Sequence, residues 1–347
     1  MRDGPDISVI VVNWNRRELL RACLESLARQ QDADFEVIVV DNGSDDGSAE
    51  MVERDFCRRP DLRVRLIANS VNRGFCAANN QGIAATDAPF IALLNNDAEA
   101  DPRWLAALRR CFEGRPQVGM AASKILLYED PRRIDKAGHV IYLDGQNRGR
   151  GSGELDRGQY DRLEETLWPD GCAAMYRRAM LEQIGSFDED FFAYGDDAEL
   201  GLRARLAGWT CLYTPEAVVW HRRASTLGLT SARRLELIER NRVLLAVKLF
   251  PWSLLWLNVP FYAARLVAGA VAAARGRGEI ARYPGWRGKL QVASALLRGD
   301  LAALRLIPKM LAKRRQLRRI RKLTPRQLRR LLLAQRIPLR VLSEQAP

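Results

Sequence analysis

Histidine is nearly absent from this chain, two residues in 347, and the six cysteines (Cys23, Cys57, Cys76, Cys111, Cys172, Cys211) form no C-x-x-C pair. A Cys/His zinc site or a disulfide framework therefore lacks its ligand pattern, and the thiols read as small core hydrophobes of a reduced compartment. Two nucleotide-binding signatures are missing as well. No G-x-G-x-x-G follows the first strand-like run and no Walker A loop occurs anywhere, which excludes the dinucleotide dehydrogenase and P-loop readings. The opening "MRDGPDISVIVV" passes straight into a strand pattern, so no signal peptide is expected. The apolar stretch 249–274 is interrupted by Pro251, Pro260 and Arg265, whereas a spanning helix needs about 20 predominantly apolar residues. An interfacial or re-entrant helix pair is the expectation there.

What is present is a globular composition, 47% apolar, with an uneven charge. Lys248 to Pro347 carries 22 Lys and Arg against 3 Asp and Glu, although the whole chain is only +13. Residues 1–247 are thus a net acidic body and 248–347 a basic tail, an asymmetry that points to an anionic partner such as a membrane surface. The tail segment 307–333, "IPKMLAKRRQLRRIRKLTPRQLRRLLL", alternates Leu, Ile and Met with Arg and Lys, as a basic amphipathic helix on a membrane does. A solvated face on a soluble helical subdomain is the plainer alternative. Few aromatics stand among these arginines, and the acidic body would repel a polyanion, so nucleic acid is not expected as a partner.

Four segments of the first hundred residues share one grammar: "ISVIVVN" (7–13), "FEVIVVD" (35–41), "LRVRLIA" (62–68) and "PFIALLNND" (89–97). Short β-branched runs without clean alternation predict strands buried on both faces, hence a parallel sheet. Between the first two, Leu20, Cys23, Leu24 and Leu27 recur at helical spacing. Alternating strand and helix predicts α/β architecture with a mostly parallel central sheet flanked by helices. Further strands are expected in 117–144 and 210–221, a strand then a helix over 172–185 with Gly185 as its stop, a helix over 196–209, and a long irregular surface loop over 145–162.

Polar residues gather where these strands end. Asn13 and Asn15, Asp41, the Asn95–Asn96–Asp97 cluster and His221 all follow apolar runs, the edge at which an open α/β sheet holds its ligand. Any one of them alone is explained by a turn or a helix cap. A hard divalent cation held by Asp97 and a later ligand such as His221 would neutralise a diphosphate. In "FFAYGDDAEL", Asp196 and Asp197 open a helix behind aromatic residues. The helix dipole explains them as caps, while an apolar flank would raise a carboxyl pKa toward general-base range.

Taken in order, "VVNWN", "VVDNGSDDGS", "NRGFCAANNQGI", "LLNNDAE", "WPDGCAAMYRRAMLEQIGSFDEDFF", "GDDAELGLRARLAGW" and "WHRRAST" resemble the family 2 glycosyltransferases of the GT-A fold, in particular rhamnosyltransferase-like members. The resemblance spans about residues 7 to 247 as a series of ordered motifs. It implies a catalytic domain over 1–247, with 248–347 as a helical, membrane-associating region. It also implies that Asp41 reads the donor's pyrimidine, that Asn13, Asn15, Asn72 and Arg73 lie along the nucleotide sugar, and that Asn95 and Asn96 position the donor. Asp97 then matches the metal-contacting member of the D-x-D position, His221 a late metal or diphosphate ligand, and Asp197 the general base. Two departures are visible: the acid pair is Asp196–Asp197 instead of Glu-Asp, and the D-x-D position holds one acid.

The implied reaction is an inverting, Mg²⁺- or Mn²⁺-dependent transfer of one sugar, rhamnose among the candidates, from a dTDP- or UDP-sugar to a lipid-linked glycan. No Q-x-x-R-W motif follows the acid pair, which implies single addition over processive synthesis. The implied location is the cytoplasmic face of the plasma membrane. A sugar-1-phosphate nucleotidyltransferase and a noncatalytic nucleotide-sugar binding protein are the alternatives.

Overall fold

β-Branched residues in a pleated strand point alternately to its two faces, and the first strands use both. In the computed structural model, which describes residues 4–223 and 230–344, these strands are β1 (Ile7–Asn13) and β2 (Phe35–Asp41). Val9, Val11, Val37 and Val39 fill one core, while Ile10, Ile38 and Val40 fill the other. With β3 (Val64–Ala68) and β4 (Phe90–Leu94) they form a parallel set in the order β3-β2-β1-β4. The crossovers are α1 (Arg17–Ala28), α2 (Ser48–Asp55) and α3 (Phe75–Ala84). Leu20, Cys23, Leu24 and Leu27 of α1 are buried, as their spacing predicts. The register sets Asn13 beside Asp41, and β4 stops at Leu94, so the Asn95–Asn96–Asp97 cluster leaves the sheet at the same edge.

The mostly parallel sheet expected from the sequence stops at this half. After β5 (Ala98–Ala100) and α4 (Trp104–Arg110) come β6 (Val118–Leu127), β7 (Ile134–Ala137), β8 (His139–Ile141), β9 (Asn147–Gly149), β10 (Glu164–Thr166) and β11 (Ala173–Arg177). β11 lies between β4 and β6, antiparallel to both. No helix separates β6 from β11, and a strand that returns without a crossover pairs antiparallel. Then α5 (Arg178–Ile184), closed by Gly185 as expected, and α6 (Asp196–Leu206) lead into β12 (Thr210–His221), parallel to β6. The full order is β10-β12-β6-β11-β4-β1-β2-β3. The stretch 145–162 is no free surface loop: β9 pairs with β8, and Gln146 and Ser152 are buried.

The composition change at residue 248 falls inside a helix, α7 (Ala232–Leu249). It is followed by α8 (Trp252–Leu255), α9 (Asn258–Ala274), α10 (Gly278–Ala281), α11 (Gly285–Gln316), α12 (Pro325–Ala334) and α13 (Leu339–Glu344). Among the described residues no helix is long and apolar enough to cross a membrane. Arg265, which interrupts the apolar run, is paired with Asp144 at 2.5 Å and Glu239 at 2.8 Å. The single amphipathic helix expected over 307–333 is two helices. Thr324 caps α12 through a reciprocal box with Gln327, and Pro325 occupies its first turn, a T-P-x-Q start signal that the Leu/Arg alternation hides. At Gly299, α11 meets the backbone of α7 directly: a Cβ there would lie 2.7 Å from the Glu236 carbonyl oxygen.

Part of the tail's charge is consumed inside the molecule. Lys248 reaches Asp188 at 2.6 Å, Lys309 reaches Asp190 at 2.6 Å, and Lys313 contacts both acids. Although burial raises its pKa, Lys248 and Lys313 hold the Asp188 carboxyl down at about 2. A carboxyl lowered on folding contributes stability above its unfolded pKa and loses it as pH falls through the folded value. Stability should therefore fall between about pH 4 and the folded value. Asp188→Asn should be less stable at neutral pH yet show a flatter acid limb in denaturant titrations; the same acid limb in both proteins would refute the assignment.

Candidate active site

A cleft of about 550 Å³ opens beyond the ends of β1 and β4. It is bounded by β7 to β9, the segment 192–197 and the inner face of α7. Asn72, Asn95, Asn96, Asp97, Asp196, Asp197 and His221 all line it, which brings together residues far apart in the chain. Asn13, Asn15, Asp41 and Arg73 are not part of this lining. Asn13 is buried beneath it, accepting from Asn96 Nδ2 at 2.7 Å and donating to Asp41 Oδ2 at 2.9 Å. The Asp41 carboxylate also accepts from Ser44 Oγ at 2.7 Å and Ser44 N–H at 2.9 Å, and the Asn15 N–H donates to the same Ser44 hydroxyl at 2.7 Å. Asp41 thus organises the following loop from inside, and its neighbour Asn42 faces the cleft. Asn42 Nδ2 donates to Asn72 Oδ1 at 2.9 Å, and its Oδ1 accepts from the Arg73 N–H at 3.0 Å. Consecutive residues at a strand end point to opposite sides, so with Asp41 turned inward Asn42 faces the cleft.

Around Asp97 the structure adds acids that sequence reasoning missed. His221 Nε2 lies 3.3 Å from Asp97 Oδ1, and its Nδ1 is 2.7 Å from Asp135 Oδ2. Asp135 is in turn gripped by Arg223, whose Nε is 2.7 Å from Oδ1. Burial favours the neutral acid, but Lys136, His221 and Arg223 hold the Asp135 carboxyl far below the usual range. His221 is held well above its usual pKa: burial opposes the charge, while the neighbouring Cys172 sulfur and hydrogen bonds to Asp135 and Asp97 favour it. Residues 224–226 of the "WHRRAST" motif lie outside the described residues.

A second group comprises His139, Asp170 and Asp197. His139 Nε2 lies 2.8 Å from Asp170 Oδ2 and 3.5 Å from Asp197 Oδ2, and the ring stacks on Trp168. Among the described residues only His139, Asp170 and Asp197 bring three possible ligand atoms within 4.8 Å of one another, whereas Asp97 and His221 form a pair 3.3 Å apart. Lys136, however, already places its ammonium 2.6 Å from Asp170 Oδ2, so that site has its cation. Asp97 with His221 offers Mg²⁺ or Mn²⁺ a carboxylate oxygen and, once the imidazole has given up the proton its acidic neighbours favour, a ring nitrogen whose far side is tied to Asp135. Asp135, His139 and Asp170 lie on three- and four-residue strands or in the W-P-D-G turn. The rarity of histidine was the one signal that could have drawn attention to His139.

Asp196 and Asp197 begin α6 at its positive end. Burial raises both carboxyl pKa values, and for Asp196 the adjacent Asp197 charge adds to it. The approach to this helix is strained at Phe192 and Tyr194, with φ of 63° and 68°, and Gly195 at 72° completes the turn without that penalty. Asn241 of α7 offers its amide to the carbonyls of Phe191, Ala193 and Tyr194 at 2.6 to 2.9 Å. Arg240 adds contacts to the carbonyls of Asp190 and Phe191. The backbone at Gly74 must be bare, since a Cβ there would lie 2.5 Å from the Phe192 ring. Two parts of the chain thus hold an unfavourable turn that aims the acid pair.

A sheet parallel on one side and mixed on the other, with its polar cleft at the switch between them, is the architecture of GT-A glycosyltransferases. Residues 8–185 match the family model "Glycosyl transferase family 2"; the chain belongs to this family and is a glycosyltransferase. Among its relatives is the N-acetylglucosaminyl-diphospho-decaprenol L-rhamnosyltransferase of Mycobacterium tuberculosis, 27% identical over 66% of this chain and 80% of that protein. The protein y4gI of Sinorhizobium fredii is 31% identical over 66% of this chain, which spans only 26% of that longer relative. The mannosyltransferase PcManGT of Pyrobaculum calidifontis, solved with GDP-Man and Mn²⁺, shares the fold with a TM-score of 0.56 at 19% identity, over 87% of each chain.

The anchor on the 191–194 turn is open to test. Asn241→Leu keeps the volume and removes the amide from the Ala193 and Tyr194 carbonyls, while Phe191 keeps Arg240 as a donor, at an expected cost of about 1–3 kcal/mol. Denaturant unfolding should show the loss, and amide exchange at 192–195 should accelerate. Unchanged exchange there would show that Asn241 does not hold the turn.

Proposed function

We propose that the protein is an inverting, metal-dependent, non-processive glycosyltransferase. It moves one sugar, with rhamnose the first candidate, from a dTDP- or UDP-sugar to a hydroxyl of a lipid-linked glycan in cell-surface polysaccharide synthesis. The observation that carries this reading is the opposition, within one cleft, of a buried acid pair at the start of α6 and the Asp97–His221 pair at the end of the sheet. Asp97 and His221 are the groups that would hold Mg²⁺ or Mn²⁺, and a divalent ion there supplies charge neutralisation to the departing nucleoside diphosphate. Asn42 and Asn72 line the nucleoside side of the cleft, and Asn95 and Asn96 lie between it and Asp97.

Asp197 takes the proton from the acceptor hydroxyl as that oxygen attacks the anomeric carbon from the face opposite the diphosphate. The bond to the diphosphate oxygen breaks as the new glycosidic bond forms, so configuration inverts without a covalent enzyme intermediate. Its raised pKa makes Asp197 a stronger base than a free aspartate, while His139, 3.5 Å away, favours the ionised form needed to start. Asp196 neighbours that charge and is favoured neutral. The lipid-linked acceptor is supported by the decaprenol-diphosphate acceptor in the mycobacterial relative's name. The six unpaired cysteines are consistent with action at the cytoplasmic face of the plasma membrane.

Asp197→Asn should lower transfer by about 10²-fold or more while donor-induced thermal stabilisation with Mn²⁺ is retained across a panel of dTDP-, UDP- and GDP-sugars. Wild-type turnover in that variant would remove Asp197 from the role. Asp135→Asn should weaken Mn²⁺ binding by about 10–100-fold, measured by calorimetry without substrate; unaltered affinity would place the ion elsewhere.

A further inference from the structure

The tail segment 307–333, whose sequence reads as a basic amphipathic helix, spends its apolar side on the protein. Met310, Leu317, Leu328 and Leu332 are all buried. The outward-facing apolar residues lie earlier. On α9, Val259, Ala263, Val267 and Val271 recur every four residues and face solvent, while Ala272 faces in. Trp256, just before this helix, is 80% exposed. On α11, Trp286, Leu290, Leu297, Leu301 and Leu304 form a second stripe, with Trp286 71% exposed. It lies opposite the buried Val292, Ala295, Gly299 and Ala303 that pack toward α7. Both helices are inverted relative to a helix on a water-soluble surface, whose outer face is polar.

We infer that the outer faces of α9 and α11, and not the 307–333 segment, seat the protein in the interface of an anionic lipid bilayer. Exposed Arg287, Arg298 and Arg305 flank the α11 stripe, so a tryptophan-bearing apolar strip is bordered by cations, the arrangement that suits the boundary between acyl chains and headgroups. Charge selects this occupant over a second copy of the chain. Residues 248–347 carry 22 basic against 3 acidic side chains, so two such faces would repel each other while an anionic surface attracts either. The helices lie on the surface, since none is suited to cross it. The α11 helix rides on α7, whose other side lines the cleft through Leu237, Ile238 and Asn241.

This inference does not depend on the transfer reaction, and its test needs no substrate. The full-length protein is sedimented with phosphatidylcholine vesicles with and without phosphatidylglycerol. Binding is expected to require the anionic lipid. Val267→Glu/Val271→Glu and Leu297→Glu/Leu301→Glu should each weaken partition by about tenfold or more while the thermal unfolding midpoint stays unchanged, because these side chains face solvent. Arg298→Gln/Arg305→Gln, which leaves the apolar strip intact, should reduce the phosphatidylglycerol dependence and guards against misfolding of the glutamate variants. Partition indifferent to all three variants, or lost only on Arg318→Gln/Arg319→Gln, overturns the inference. So does a dimer in vesicle-free sedimentation equilibrium that the glutamate substitutions disperse.

Discussion

Keeping carboxylates charged in a place from which water is largely removed is the constraint around which the molecule is arranged. Asp97, Asp135, Asp170, Asp196 and Asp197 are drawn toward one cleft, and all but Asp197 have under a tenth of their surface exposed. Left alone they would take up protons or drive the site apart. They are held instead by a small set of cations brought from other elements: Lys136 on Asp170, Arg223 on Asp135, and His221, its pKa raised, between Asp97 and Asp135. The acid pair at α6 has fewer such partners, and its raised affinity for protons is the result. Carboxyls held ionised and carboxyls favoured neutral are thereby separated within one cavity by the distribution of counter-charges.

The rest of the fold supplies that distribution. The parallel half of the sheet brings Asn13, Asn42 and the Asn95–Asn96–Asp97 cluster to one edge, and the mixed half brings β7 and β12 alongside with Asp135 and His221. From the other side α7 grips the strained turn before α6. Glu199, one turn into α6, is buried between Arg203 and Lys248, so the helix bearing the acids is fixed at its root by ion pairs.

Much of this was legible in the sequence wherever a signal was local and repeated. The parallel strands, the α1 stripe, the Gly185 stop and the convergence of Asp97, Asp196, Asp197 and His221 follow from apolar runs and what ends them. Illegible were features decided by pairing or facing. Asp41 and Asn42 are adjacent, and only the finished strand shows which one looks into the cleft. Asp135, His139 and Asp170 belong to strands and turns too short to have a period. The apolar and basic alternation at 307–333 marked helical amphipathicity but hid the break before Pro325, and amphipathicity does not say whether the apolar side meets protein or lipid. The same holds for the charge asymmetry, part of which is satisfied by Asp188 and Asp190.

The bare contact at Gly299 sets a length. With no side chain between α11 and the Glu236 carbonyl, the two helices sit at the short end of the separations open to packed helices, about 8 Å between axes. Any side chain at 299 would have to push α11 off α7, and α7 carries Leu237, Ile238 and Asn241 to the cleft on its other side. The lone hydrogen at that position therefore keeps the outermost long helix and the wall of the cleft in one rigid stack, so that a load on one is felt by the other.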